Sequence, residues 1–172
     1  KPHSTLQWMT VENPATVANP IPRQMIRPQA PQYLETLRQR ANTAPSAFTQ
    51  AVAALACTHE GLLDEALQYA KGSTSEGSSN PWILDLYAQT QMNASHLSLA
   101  RRQHESKLAW TRALSTMPEF APAILSIAAY HIRQEHPVLA CRTLEPLLKQ
   151  QTPPLQALIL YARIAIDQNW LT

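Results

Sequence analysis

The residues of this chain best suited to metal binding are its six histidines. His131 and His136 lie five residues apart, across an expected helix and its following turn, and this spacing suits a shared metal ion poorly. His96 and His104 lie eight residues apart on an expected helix, too far for a chelating pair. We therefore expect surface or turn histidines and no metal site.

Cys57 is the residue closest in kind to a catalytic nucleophile, because His59 follows two positions later. Residues so close on a helix diverge, and no third side chain is placed to orient this pair. Three glycines in 172 residues are also too few for a phosphate-binding loop. The sequence therefore predicts a protein that is not an enzyme, with no catalytic residues and no cofactor, and Cys57 is expected to pack in a core.

The composition favours helices. Apolar residues make up 45% of the chain, and three glycines against fourteen prolines disfavour a fold rich in β-turns. The net charge of +2 is too small to indicate nucleic acid as a partner. No run of about 18 apolar residues is present, so direct membrane insertion of this fragment is not expected.

Small residues recur at fixed spacings. Alanines twelve positions apart occur three times, as Ala54–Ala66, Ala88–Ala100 and Ala128–Ala140. The step from Ala54 to Ala88 is thirty-four positions, whereas the step from Ala88 to Ala128 is six longer, which indicates an insertion. Antiparallel helices approach closely where small side chains meet, so this period predicts stacked helix pairs.

The recurring positions resemble the tetratricopeptide repeat family over roughly residues 45–168. The residues that carry the resemblance are Gly61, Glu65, Ala66, Ala88, Trp110, Ala113, Leu114, Pro118, Ile127, Ala128, Ala140, Leu144, Pro153, Tyr161 and Ala162. The resemblance implies an all-α fold, an α-solenoid of stacked antiparallel helix pairs. The chain departs from the family pattern in its long second unit, in His131 and Ala165 at usually aromatic positions, and in a last unit without a second helix.

The chain divides into a proline-rich segment and a helical region. Residues 1–30 contain five prolines and no apolar period, so we expect an extended arm or linker. A polyproline ligand and a segment lying along the protein's own helices stay open as alternatives for it. Residues 31–172 are expected to form the repeats, with units at about 45–79, 80–118 and 119–152 and a half unit at 153–172.

Apolar periodicity also predicts details within the units. Phe48, Val52, Leu55 and Ala56 are expected to form the buried side of the first helix of the first unit. Residues 72–79, rich in Gly and Ser, are expected to form a flexible loop. We expect a turn somewhere in 93–97, between two helices that are longer than the others.

The family resemblance implies a concave groove lined by the first helices of successive units. The residues that it assigns to this partner-binding groove are Trp82, Asp85, Gln89, Leu125, Ala129, Arg133, Ile159, Arg163 and Ile166. Family members that clamp a terminal carboxylate use Lys and Asn at such places, so Leu125 and Ala129 argue against a clamp here. Apolar residues mixed with Arg133 and Arg163 suit an extended or helical segment with apolar anchors and some acidic character.

The final helix, expected from residue 153 to about 168, is apolar around nearly its whole circumference. Such a helix is buried on more than one side, whereas repeat arrays normally end in a polar face. We expect a continuation of the chain, a second copy or a partner to cover it. The alternative is that the tail from Asn169 to Leu171 folds back over it.

Two functions stay open. The first is a scaffold or adaptor that binds a segment of another protein in the groove, in the assembly of a larger complex. The second is an oligomerisation or structural domain of a longer protein, with the last helix as the seam. Cys57 and Cys141 fall in different units and are expected to be free and buried, which favours a reducing, cytoplasmic compartment. The chain begins at Lys1 and not at Met, so a periplasmic or membrane-anchored parent stays open.

Overall fold

A computed structural model describes residues 32–75 and 79–170, and this part of the chain contains eight α-helices and no strand. The helices are α1 (Gln32–Thr43), α2 (Ala47–His59), α3 (Leu63–Ser75), α4 (Pro81–Asn93), α5 (Leu99–Thr116), α6 (Ala121–Arg133), α7 (Pro137–Leu148) and α8 (Leu155–Asp167). Each helix packs on its neighbours in the chain, most extensively as α2 with α3, α4 with α5, and α6 with α7. The predicted all-α fold, an α-solenoid of helix pairs, is confirmed. The proline-rich arm, residues 1–30, lies outside the described residues.

Local caps explain where several helices begin. The Ser46 hydroxyl accepts a hydrogen bond from the Thr49 backbone N–H at the start of α2, and Thr49 Oγ1 accepts one in return from the Ser46 N–H. Asn80 Oδ1 accepts a hydrogen bond from the Trp82 N–H at 2.9 Å, and Pro81 takes the first position of α4. Pro137 opens α7, and Pro146 lies inside that helix.

Three of the first helices end in equivalent turns. Gly61, Glu135 and Asn169 have φ values of 74°, 58° and 52° after α2, α6 and α8, in the left-handed region. In each turn the next residue donates its backbone N–H to a carbonyl five positions earlier, as in the 2.8 Å bond from Leu62 to Cys57. Asn169 follows Glu135 by one ordinary period, and Glu135 follows Gly61 by one ordinary and one lengthened period. The turn is therefore a repeated feature of the array.

The predicted alanine contacts hold in all but one case. Ala54, Ala66, Ala88, Ala128 and Ala140 are all fully buried, at 0% exposure. Ala100 is exposed, which contradicts the prediction. The six inserted residues lie before the position that contacts Ala88, so that position is 106 and not 100. That contact is Ser106, fully buried, whose hydroxyl donates to the Ala88 carbonyl at 2.8 Å.

The insertion is absorbed in one turn and one helix. The turn between α4 and α5 occupies residues 94–98, close to the predicted 93–97, against 60–62 in the first pair. Ser106 is the eighth residue of α5, whereas Ala66 is the fourth of α3. Only α5 is therefore lengthened, to 18 residues, and the expectation of a longer α4 is wrong because α4 has 13 residues, as α2 has.

Among the described residues the core consists of three clusters, within α1–α3, α4–α6 and α6–α8. The predicted buried side of α2 is partly wrong, because Phe48 and Leu55 are exposed and Val52 is half-buried. The side of α2 that α1 and α3 cover carries smaller residues, such as Ala54, Ala56 and Cys57. Close packing there selects small side chains and leaves the bulky ones facing α4.

The predicted loop at 72–79 is also corrected. Helix α3 continues through Gly72 to Ser75, so only residues beyond it can form a loop, and 76–78 lie outside the described part. Ser73 Oγ donates to the Ala70 carbonyl and Ser75 Oγ to the Gly72 carbonyl, each at 2.7 Å. These short side chains satisfy the backbone of the helix end, which composition alone did not reveal.

Candidate partner-binding groove

An open groove of about 400 Å³ runs between α2 and α4. It is lined by Phe48, Ala51, Val52 and Leu55 from α2 and by Asn80, Trp82, Ile83, Asp85, Leu86 and Gln89 at α4. The lining is mainly apolar, and Asp85 is the one formally charged side chain among these ten described residues. This α2–α4 groove is therefore suited to apolar side chains of a bound molecule.

The repeat positions the two walls. Phe48 and Trp82 are separated by one repeat period and occupy the second position of α2 and α4, respectively. Both are largely exposed, at 72% and 63%, and Leu55 is 60% exposed. The Trp82 ring packs edge-on against Phe120, with centroids 4.9 Å apart, and this contact orients the indole at the groove.

Asp85 joins the groove to the core. Its two carboxylate oxygens accept hydrogen bonds from Trp110 Nε1 at 2.9 Å and from Gln89 Nε2 at 2.7 Å. Burial raises the pKa of the carboxyl above its ordinary value, and the two hydrogen bonds partly oppose that shift. Asp85 thus lies buried at the base of the groove, where its two oxygens fix the side chains of Trp110 and Gln89 by hydrogen bonds.

Three of the nine predicted groove residues, Trp82, Asp85 and Gln89, come together in the α2–α4 groove. The other six lie on the two later first helices, as Leu125, Ala129 and Arg133 on α6 and Ile159, Arg163 and Ile166 on α8. Helices α2 and α4 contact each other, as do α6 and α8, but α4 and α6 approach less closely. The six later residues are therefore not part of the lining of the α2–α4 groove.

The two predicted arginines are both exposed. Arg133 is the last residue of α6, and Arg163 Nε lies 3.8 Å from Asp167 Oδ2, one turn further along α8. Leu125 is partly buried and packs on the core cluster of α6–α8. Ile159 and Ile166 are among the exposed large apolar residues of α8.

Sequence reasoning missed the α2 wall of the groove. Phe48, Val52 and Leu55 precede Trp82, Leu86 and Gln89, respectively, by the same interval that separates Ala54 from Ala88. Applying that period backwards from Trp82 and Gln89 would have placed the α2 residues on the groove side.

A second apolar surface covers one side of α8. We call it the α8 face, and it consists of Leu155, Leu158, Ile159, Tyr161, Ala162 and Ile166, all exposed. Trp170 after the helix is also exposed, while Leu171, part of the tail that could fold back, lies outside the described residues.

The remaining chemistry-bearing residues are dispersed. Within the described residues, no three His, Cys, Asp or Glu side chains are grouped as a metal site. His96 Nδ1 lies 2.7 Å from Asp64 Oδ1, and His131 is half-buried, with burial lowering its pKa. Cys57 is buried and Cys141 half-buried, and both are free. None of the described helices combines the length and the hydrophobicity that a membrane span requires.

Comparison with models of known protein families finds no match to the chain, and comparison with curated proteins finds no relative. The fold and the two apolar surfaces therefore carry the functional argument. The described part of the chain belongs to the all-α class and is an array of paired helices.

Proposed function

We propose that this protein is an interaction scaffold of the tetratricopeptide repeat type that binds a segment of a partner protein in the α2–α4 groove. The observation that carries the proposal is the convergence of exposed Phe48, Leu55 and Trp82 on one open apolar groove. Contiguous exposed apolar surface of this kind marks binding sites in soluble proteins. The adaptor role in assembling a larger complex follows from such binding.

The partner segment should carry uncharged apolar anchors. Asp85 is the one formally charged residue of the described groove lining, and its carboxylate is buried and hydrogen-bonded to Trp110 and Gln89. A charged side chain bound in the groove would lose its hydration, and it would find no accessible side chain of opposite charge in the groove lining to compensate. An extended or helical segment with aromatic or aliphatic side chains fits the groove. Arg133 and Arg163 lie outside its lining, on α6 and α8, so they would meet acidic residues only of a segment that continues past the groove.

Selection of peptides from a displayed random library on the full chain tests the groove. The expected peptides carry two or more large apolar side chains and bind at least about tenfold more weakly to Leu55→Asp and Trp82→Ala, since anchors in such pockets dominate binding. Leu108→Asp is the matched control, because Leu108 is half exposed on α5 outside the groove lining. Peptides that bind all three variants equally would contradict the proposal.

Reversal of Arg133 and Arg163 to Glu tests the acidic character separately. Both side chains are exposed, so the helical signal in circular dichroism should be unchanged. Selected peptides with acidic flanks should bind severalfold more weakly, and the loss should shrink at high salt. An equal affinity at all salt concentrations would remove the arginines from the site.

A further inference from the structure

A chain of hydrogen bonds connects the α2–α4 groove to the core beneath it. Trp110 Nε1 donates to Asp85 Oδ1 at 2.9 Å, and Gln89 Nε2 donates to Asp85 Oδ2 at 2.7 Å. Trp110 and Asp85 are buried, at 4% and 6% exposure, whereas Gln89 is exposed in the groove lining. A contact made in the core therefore fixes a side chain that a bound segment can reach.

The repeat shows that the packing of helix pairs does not require this chain of bonds. Asp85 and Gln89 lie four and eight residues after the start of α4. The equivalent positions hold Ala51 and Leu55 in α2, Leu125 and Ala129 in α6, and Ile159 and Arg163 in α8. None of these other described first helices carries a carboxylate at the first of the two positions.

The residue that Asp85 contacts differs between the pairs in the same way. Trp110 lies four residues after Ser106, and the equivalent residues are Ala70 in α3 and Leu144 in α7, both 0% exposed. Apolar residues therefore fill these places where the groove is not involved. Because a buried carboxylate costs free energy of folding, its presence at this one pair points to a role in the groove.

The chemistry of the three groups determines which end of the Gln89 amide faces the groove. The Trp110 indole N–H can only donate, and an ionised carboxylate can only accept. Gln89 therefore turns its NH2 group towards Asp85, and its amide oxygen, on the other branch of the planar group, is directed away from Asp85. Within the described part of the chain, no residue donates to Gln89 Oε1. The groove thus presents a hydrogen-bond acceptor held in a fixed sense.

An extended segment bound in the groove needs such an acceptor. Its apolar anchors bring the neighbouring backbone N–H groups against a lining whose side chains, such as Val52, Leu55 and Leu86, cannot accept a hydrogen bond. A backbone N–H that loses water there without a new acceptor weakens binding. A helical segment bonds its own N–H groups internally and gains nothing from Gln89.

We infer that Gln89 Oε1 accepts a hydrogen bond from a backbone N–H of an extended partner segment, and that Asp85 is the positioning residue that gives the Gln89 amide this sense. The inference rests on the proposed function, because it assigns a contact within the same α2–α4 groove. The groove then selects an extended segment with a free N–H beside an apolar anchor over a helical segment with the same side chains.

Replacement of Asp85 by Asn should reverse the sense of the Gln89 amide. The Trp110 N–H still needs an acceptor and takes the oxygen of the new amide, so the NH2 group of that amide faces Gln89. Gln89 then accepts with Oε1 and turns its own NH2 group towards the groove. The variant therefore presents a donor where the wild type presents an acceptor, with almost the same shape.

The probe is the tightest-binding peptide selected on the full chain from a displayed random library, with analogues in which one backbone amide at a time is replaced by an ester. The ester removes the N–H donor without adding bulk. For wild type, fluorescence anisotropy should show one position at which the ester weakens binding roughly fivefold to tenfold, as expected for one lost hydrogen bond. For Gln89→Met, the same ester should change the affinity by less than about twofold. Gln68→Met, exposed on α3 outside the groove lining, is the matched control and should keep the wild-type loss.

Asp85→Asn supplies a readout that a purely structural role of Asp85 would not change. The advantage of the amide peptide over this ester should disappear or reverse, because the donor of Gln89 now meets the ester oxygen. An equal ester loss in wild type, Gln89→Met and Asp85→Asn at every position overturns the inference and leaves groove binding intact. Selected peptides that bind Leu55→Asp and Trp82→Ala as tightly as wild type overturn the proposed function itself. If Asp85→Asn loses the helical signal in circular dichroism, Gln89→Met, at an exposed position, decides alone.

Discussion

At the scale of single residues, Asp85 connects the proposed binding surface to the packing beneath it. Its side chain reaches Trp110, which is 4% exposed in the α4–α6 core, and Gln89, which is exposed at the groove. A buried carboxylate is costly to keep ionised, and its hydrogen bonds offset part of that cost. Asp85 therefore orients Gln89 at the groove, and the burial of its charge lowers the free energy of unfolding.

Replacement of Asp85 by Asn should make stability less dependent on pH. The pKa of Asp85 is raised in the folded chain, so the folded state binds the proton more tightly than the unfolded state does. The contribution of Asp85 to the free energy of unfolding should therefore fall as pH rises from about 4 through its folded pKa, whereas the lowered pKa values of Glu60 and Glu145 act in the opposite direction. Urea titrations between pH 4 and 7 should show that the free energy of unfolding of the wild type, relative to that of Asp85→Asn, falls as pH rises, and a constant difference would contradict the assignment.

Replacement of Asp85 by Ala separates charge from hydrogen bonding. It leaves the buried Trp110 Nε1–H without its acceptor, so we expect the free energy of unfolding to drop by about 1–3 kcal/mol at pH 7. Asp85→Asn retains an acceptor and should lose less. Equal losses in the two variants would show that the hydrogen bond to Trp110 is not what stabilises this site.

The sequence located the residues of α2 correctly on a helix but assigned its sides incorrectly. Phe48 and Leu55 are large and apolar, and the opposite side of α2 is apolar too, through Ala54 and Cys57. Periodicity identifies an apolar side only when the other side is polar. The choice between the two depended on how closely α1 and α3 pack, which a pattern within one helix does not contain.

At the scale of elements, the array is a repetition of one helix pair with one turn geometry. Gly61 and Glu135 occupy equivalent turns, and both have positive φ. A Cβ built on Gly61 meets no atom within 4 Å, so the requirement for glycine there is conformational and not steric. Gly61 is among the residues that carry the family resemblance, whereas no feature of the sequence indicates that Glu135 adopts the same strained conformation.

Exchange of residue types at these two turns should have opposite effects. Gly61→Ala should lower the free energy of unfolding by about 1 kcal/mol, because only glycine adopts positive φ without cost. Glu135→Gly should raise it by up to about 1 kcal/mol by relieving that cost. Chemical denaturation of both variants checks the pair, and a change of the same sign in both would contradict the turn assignment.

The contact alanines give a second prediction at this scale. Ala128→Leu should destabilise the fold by about 1–3 kcal/mol, because the added atoms have no room between α6 and α7. Ala100→Leu should change stability by less than about 0.5 kcal/mol, because Ala100 is exposed on α5. Thermal unfolding distinguishes them. A large loss of stability in Ala100→Leu would indicate that Ala100, and not Ser106, contacts Ala88.

At the scale of the whole molecule, the two ends of the stack differ. At the α1 end, Tyr33 donates to the Glu60 carboxylate, and Arg38 pairs with Glu35 and Glu65. At the α8 end an apolar face is exposed. Repeat units are stabilised by contacts with their neighbours, so α8, covered on one side only, should belong to the least stable part of the described array.

The two free thiols can report this difference. Cys57 is buried between α1, α2 and α3, and Cys141 is half-buried beside α8. In Cys57→Ser and Cys141→Ser variants, we expect a thiol reagent to label Cys141 at a lower urea concentration than Cys57. Coincident labelling midpoints would indicate that the array unfolds as a single cooperative unit.

Much of the architecture could be predicted from the sequence because the same residue spacing recurs in several units of a repeat. The alanine spacing predicted the helix pairs, and the apolar character of the last helix predicted an apolar face that the other helices do not cover. The absence of Arg133 and Arg163 from the groove lining could not be predicted, since it depends on how closely successive first helices pack.

The most direct test of the scaffold function is a methyl NMR titration of the full chain with a peptide selected on it. The account predicts that the methyl signals of Val52, Leu55, Ile83 and Leu86, which line the α2–α4 groove, shift together and saturate. Signals of Leu108 on α5 should stay in place. Saturable shifts elsewhere with unchanged groove methyl signals would contradict the central claim that this groove holds the partner.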